Sequence, residues 1–415
     1  MIRRYLRLSV LFLVAGGGGC STAGLKSKAA LSGDVSGRYA YGLDAAETAL
    51  TRVEGNAGVK LGEGGTCGAE FAGRYRWDRY LEPEESRTAE IRALSLICQH
   101  RGWLLSVGRQ SVVWGKADGF RVLDIVHPFD FREFVLDDVN AARRPLAMGR
   151  LELRTPGNGF VQLLLVPEHR RDILPAPEGR FAPVFLPQTL DLNVRATPVD
   201  QPRWYVPGDW QYGGKWEVNT RRVGFSLNYL SKLSTSPTYA LEPATFAVQA
   251  RFPRQGFYGG SLDFPWQRFV LRAETVYSPG VFQLSSDAPS GDYVRHRLLS
   301  TALGIDDHLG EWFLSGQLLH DRYFGTRVPA GSQRSHDVGT LLATRSFFQD
   351  RTKVRLFLAN DLTEHGHWLR ASLGHDIRST VEFSLGVDQF AGRAASVFGR
   401  IAREDRVFVQ LKWSR

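Results

Sequence analysis

Apolar residues recur at every second position through segment after segment of this chain. Val381, Phe383, Leu385 and Val387 alternate with Glu382, Ser384, Gly386 and Asp388. The same period sets Val407, Val409, Leu411 and Trp413 against Phe408, Gln410 and Lys412, and Val223, Phe225, Leu227 and Tyr229 against Gly224, Ser226 and Asn228. An extended chain points successive side chains to opposite faces, so each run is a strand with one apolar and one polar face. Such strands cannot belong to a sandwich that buries both faces. The apolar face needs either a second protein layer or lipid.

A second layer is hard to find. Few segments carry helical periodicity, and no blade-length repeat signals a propeller. After the amino-terminal leader there is no run of eighteen apolar residues, so no spanning helix is expected. A sheet closed on itself leaves no open edge and satisfies every backbone polar group in lipid. The pattern therefore predicts an all-β fold, a transmembrane antiparallel β-barrel of about 18 strands between Gly33 and Trp413, with 16 the neighbouring even number. A soluble all-β sheet is the competing arrangement. Connections support the barrel: Arg101–Gly102, Pro156–Asn158, Thr220–Arg221 and Gln349–Arg351 read as short turns, and Tyr277–Tyr293, Gly325–Asp337 and Phe390–Arg406 as long ones. Short turns in the periplasm and long loops outside are the usual asymmetry of an outer-membrane barrel.

Residues 1–29 read as an export signal and processing region. Arg3, Arg4 and Arg7 precede the apolar run Leu8–Ala15 and then small residues, with cleavage after Ala23 or Ala29. Loss of the three leader arginines lowers the formal charge from +9 to +6, and loss of Lys26 and Lys28 as well lowers it to +4. That balance, in an exported chain without a dense basic stripe, excludes a nucleic-acid partner. Cys20 lacks the bulky residue three places earlier that a lipid-anchoring site requires. Cys67 and Cys98 are the remaining cysteines, an even pair that an oxidising compartment permits to form a disulfide.

Residues 30–415 then form one barrel with two interruptions. In 109–145 the alternation fails, and Asp130–Ala142, between Pro128 and Pro145, is expected to be helical. So many charges of both signs exclude contact with lipid, and the segment is expected to fold inward as a luminal helical plug or constriction. Its candidate pore or plug residues are Arg109, Lys116, Asp118, Arg121, Asp124, His127, Asp130, Arg132, Glu133, Asp137, Asp138, Arg143 and Arg144. Guanidinium–carboxylate pairs among them either narrow the passage or only tether the segment to the wall. The second interruption, 169–209, carries seven prolines from Pro175 to Pro207 and is expected to be a long irregular loop or a second inward fold.

Charged residues on the polar phase give a candidate pore wall of Arg150, Glu152, Arg154, Arg268, Arg272, Glu274, Arg355 and Arg370. Arginine outnumbers acid in this set, which predicts a channel or export conduit with a weak preference for anionic or polyhydroxylated solutes, small or polymeric. A plugged structural or docking barrel in an envelope complex is the alternative. A hydrolase is less consistent with the chain, because GxSxG, HExxH and Walker motifs are missing and the histidines are scattered. No enzyme activity, cofactor or metal is expected.

The stretch Gly108–Phe134, GRQSVVWGKADGFRVLDIVHPFDFREF, resembles the signature region of domain-of-unknown-function family 1302, proteobacterial outer-membrane β-barrel proteins. His127–Pro128 stands where the family pattern has Asn-Pro. The resemblance implies residence in the outer membrane of a Gram-negative bacterium, among its lipids and lipopolysaccharide, and periplasmic or inner-membrane transport partners, in particular an exporter of the resistance-nodulation-division type. Insertion by the barrel-assembly machinery is also expected. Its usual terminal aromatic signal would be supplied by Trp413, two places from the end.

Overall fold

A computed structural model describes residues 29–415 except 45, 63–66, 80–85, 118–119, 177–178, 186–196, 199–201, 243–246, 285–292, 326–327 and 329–332. The export signal and Asp118 lie outside the described residues, as does much of 169–209. Eighteen strands form one sheet. In chain order they are Ala29–Gly42, Thr48–Leu61, Cys67–Asp78, Arg87–His100, Trp103–Gln110, Leu146–Thr155, Gly159–Val166, Gln211–Asn219 and Gly224–Leu233. Arg254–Trp266, Phe269–Leu284, Tyr293–Leu309, Trp312–Phe324, Ser335–Phe347, Thr352–Asp361, Gly366–Arg378, Val381–Gly392 and Arg406–Ser414 complete them.

Each strand pairs antiparallel with the next, and the first pairs with the last from Asp34↔Ser414 to Gly42↔Arg406. The sheet is a closed ring. Its outer face carries the apolar phase of the alternation: Val53, Phe71, Leu96, Val107, Leu227, Leu303, Leu341, Leu385 and Leu411 are all exposed. An exposed belt of this size, on strands whose other face is charged, is a surface that a bilayer covers and water does not. Trp413 sits on this outer phase, between Val35 and Val381.

The two ends differ as the turn chemistry predicts. Two-residue turns at Arg101–Gly102, Gln267–Arg268, Gly310–Glu311 and Ser379–Thr380 close one end, where the described chain also begins and finishes. Positive φ at Asn158, Gln267 and Gly310 fits such tight reversals. At the same end Cys67 faces Cys98 across neighbouring strands and is joined to it by a disulfide. The other end has the long connections 111–145, 167–210 and 393–405. The stretch expected to loop over Tyr277–Tyr293 is instead strand as far as Leu284.

The expected helix over Asp130–Ala142 is a correction: only Val139–Ala142 is helical, with Asp138 accepting from the Asn140 and Ala141 amides. Among the described residues of this segment there is one short helix and no helical plug. The preceding residues take their hydrogen bonds from elsewhere. The Asp130 amide donates to the Ala142 carbonyl and the Phe131 amide to Ile173, while Phe134 and Leu136 close tight turns on Phe131 and Glu133. Partners distant in sequence replace the i−4 carbonyls that a helix would use, and Phe134, at φ 52°, breaks the helical path outright.

Candidate functional site

Segment 111–145 leaves the wall after Gln110 and returns at Leu146, and between these points it bonds to strands on opposite sides of the ring. On one side the Lys116 ammonium pairs with Asp263, its amide donates to Glu274, and its carbonyl accepts from Arg272 at 2.8 Å. Lys232 Nζ donates to the Ile125 carbonyl at 2.7 Å. Across the ring, Glu133 pairs with Arg406 at 2.9 Å, and the Leu136 carbonyl accepts from Arg370 at 2.9 Å. A strap fixed to both walls crosses the interior.

Two apolar clusters seat it. Val112, Trp114, Leu123 and Val126 pack with Leu146, Met148, Leu164, Leu230 and Val276 of the wall. Trp114 is fully buried, and its indole N–H donates to Gln162 at 2.7 Å. Phe134 and Leu136 pack with Phe357, Trp368, Phe390 and Phe398, and with Phe181 from the proline-rich stretch. Phe181 is thus folded inward at 2% exposure, whereas Trp204 and Tyr205 stand in the open at 71% and 59%.

Around the strap lies a charge network that alternation alone did not single out. Asp137 receives Arg52 at 2.9 Å, Arg38 at 3.1 Å and Arg76 at 3.5 Å, from the first three strands. Burial would raise its pKa, but the guanidiniums of Arg52, Arg76 and Arg38 outweigh that and hold the carboxyl well below the usual range. Arg52 also reaches Asp78 at 3.0 Å, Arg76 reaches Glu54 at 2.9 Å, and Arg74 pairs with Glu90 at 2.8 Å. Arg92 donates to the Arg143 and Asn140 carbonyls at 2.6 and 2.7 Å. Asp388 gathers Arg370 at 2.6 Å and Arg406 at 3.1 Å. Arg74 and Arg76 flank outward Tyr75, so their phase was readable; the convergence of three strands on one carboxylate was not.

The remaining candidates fall into three groups. Arg132 pairs with Asp130 at 2.7 Å, Arg143 with Asp124, and Arg109 with Glu168 at 2.7 Å; Arg144 donates to the Arg171 carbonyl. These are tethers. His127 is a second kind of fastener: its Nε2 accepts the Val112 amide at 2.8 Å and its Nδ1 meets the Arg144 carbonyl at 3.0 Å. Burial pushes its pKa down to about 3, against the opposing Arg144 carbonyl, so the ring is neutral and carries its proton on Nδ1. On the wall, Arg150 lies 3.8 Å from Glu152, Glu152 accepts from Gln162, and Arg272 pairs with Asp306 at 2.7 Å. Arg154 and Arg268 lie at the short-turn end, away from the strap; Arg268 is exposed and pairs with Asp307 at 3.1 Å.

Three of the candidate cations, Arg121, Arg154 and Arg355, are exposed and have no ion pair among the described residues. Arg121 lies over the Phe129 ring at 3.7 Å from its centre and near Phe131 at 5.1 Å. It lines a cavity of about 280 Å³ between the strap and the wall strands that carry Leu319, Asp321, His336, Val338 and Asp361.

No family model matches the chain, and no curated protein does. Solved structures do. OccAB1 of Acinetobacter baumannii aligns at a TM-score of 0.55 with 7% identity, over 94% of this chain and 95% of that one. OccAB2 of the same organism gives 0.54 and 8%, over 93% and 98%. OpdK of Pseudomonas aeruginosa, crystallised with vanillate, gives 0.51 and 10%, over 93% and 98%. The fold is the closed β-barrel of these structures. With its lipid-facing belt, this barrel resides in the outer membrane.

Proposed function

We propose that the protein is an outer-membrane channel for small solutes, narrowed by the strap 111–145 and weakly selective for anionic or polyhydroxylated cargo. One observation carries this reading: a closed barrel with a charged inner face is crossed by a segment that leaves open space beside it, lined by Arg121, which has no ion pair among the described residues. Most arginines of the network are balanced by carboxylates and give little net field. Arg121, Arg154 and Arg355, without an ion pair among the described residues, are left to attract anions, and Asp321 on the facing wall opposes them, so the preference is weak. A strap fixed to both walls favours small solutes over a polymer, which needs an unobstructed tube.

The dense pairing of the strap also fits the plugged docking barrel, and conductance separates the two. Purified protein in planar bilayers under a KCl gradient is expected to open in discrete steps with a reversal potential displaced toward that of chloride. Deletion within 118–144 is expected to raise the current sharply. A barrel silent at all voltages refutes the channel, and a reversal potential on the potassium side refutes the selectivity.

A further inference from the structure

The cavity beside the strap has poles of opposite sign. On the strap, the Arg121 guanidinium has a face on Phe129 and no ion pair among the described residues, with the Asp172 and Asp124 carboxylates acting on it only from beyond contact distance. On the wall stand Asp321, His336 and Asp361. His336 lies 3.1 Å from Asp361 Oδ1, which also accepts the Thr363 and Glu364 amides at 3.2 and 2.8 Å. Asp361 Oδ2 is buried without a hydrogen-bond partner among the described residues, although the residue is only 1% exposed. A buried carboxylate oxygen with an open acceptor position is unfavourable until a donor reaches it. Asp137 also lines the cavity, but three guanidiniums already engage it. Between the poles the lining is apolar, with Phe120, Phe131, Phe134 and Val338.

We propose that this cavity binds a small zwitterion with an apolar body, of the class of α-amino acids with hydrophobic side chains. The proposal goes beyond the channel reading, which concerns passage along the lumen, and names the ligand held at this one cavity. The ligand carboxylate takes the guanidinium fork of Arg121 in two parallel hydrogen bonds. Its ammonium, with three donors and no acceptor, turns to Asp321 and Asp361. The side chain lies among the phenylalanine rings. A simple anion would satisfy Arg121 but meet the acidic wall, a simple cation would do the reverse, and a polyol would leave both charges unmatched. Only a ligand with both charges answers both poles.

Titration calorimetry on the full-length protein in detergent, with L-phenylalanine, 3-phenylpropanoate and 2-phenylethylamine, tests this without requiring conductance. L-phenylalanine is expected to bind roughly tenfold more tightly than either single-charge analogue. Arg121→Gln is expected to reduce it to the level of the amine, and Asp321→Asn to that of the acid. Equal binding of 3-phenylpropanoate and L-phenylalanine by the native protein overturns the acidic pole, and no binding by any of the three overturns the site. The three-ligand comparison uses only the native chain, so it stands even where a variant fails to fold. A barrel silent in bilayers that still ranks the ligands in this order removes the channel and keeps the site.

Discussion

Asp137→Asn removes the one charge on which the first three strands converge. Each unit-charge pair at such separations is worth about 4 kcal/mol at an effective dielectric constant of 20, and breaking a buried pair costs about 3–5 kcal/mol. The loss is uneven. Arg52 keeps Asp78 at 3.0 Å and Glu133 at 3.6 Å, and Arg76 keeps Glu54 at 2.9 Å and Asp130 at 3.6 Å. Among the described residues, Arg38 keeps only the Gln410 side-chain oxygen, at 2.9 Å. The penalty should therefore fall near the bottom of that range, about 3 kcal/mol, and centre on Arg38. Urea unfolding in detergent, followed by tryptophan fluorescence, reads the stability. Bilayer recordings are expected to show a larger, noisier conductance shifted toward anions, because a negative charge and a strap anchor are lost together. Arg38→Gln added to Asp137→Asn should restore much of the stability. A coupling between the two substitutions below about 0.5 kcal/mol, or an unchanged channel, would refute the picture of Asp137 as the hub of the anchor.

Trp114→Ala empties the centre of the larger apolar cluster and strands Gln162, so a loss of about 3–5 kcal/mol and a raised conductance are expected in the same two assays. His127 has a folded pKa below its unfolded one, so its contribution is complete above about 6.5 and is lost as the pH falls toward about 3. Stability should drop by about 2 kcal/mol between pH 7 and pH 5, and His127→Gln should flatten that slope. Replacing Cys67 and Cys98 together by serine is expected to cost about 2–4 kcal/mol in the same unfolding assay, with conductance unchanged because the bridge lies at the short-turn end, away from the strap. Native protein treated with reductant should match the double variant.

Period two set the two faces of every strand and, with the scarcity of helices and the turn pattern, pointed to a ring that the pairing of first and last strands closes. Val381–Val387 and Val407–Trp413 each fix which side chains meet lipid, since strand geometry is local and a one-residue slip would turn every charge outward. The short turns, and the inward phase of Arg272, Glu274 and Arg370, followed from the same periodicity. Charge also marked 109–145 as a segment that lipid could not hold, although its first two residues belong to the strand Trp103–Gln110. Its conformation was another matter: Asp130–Ala142 had the flanking prolines and acidic start of a helix, yet Ile173, Ala142 and the arginines of distant strands claimed its backbone and carboxylates. Those partners are remote in the chain and adjacent only once the barrel has closed. Tertiary structure likewise decided which arginines are balanced and which, like Arg121, still face open space, because pairing depends on distance across the ring and not on order along the chain.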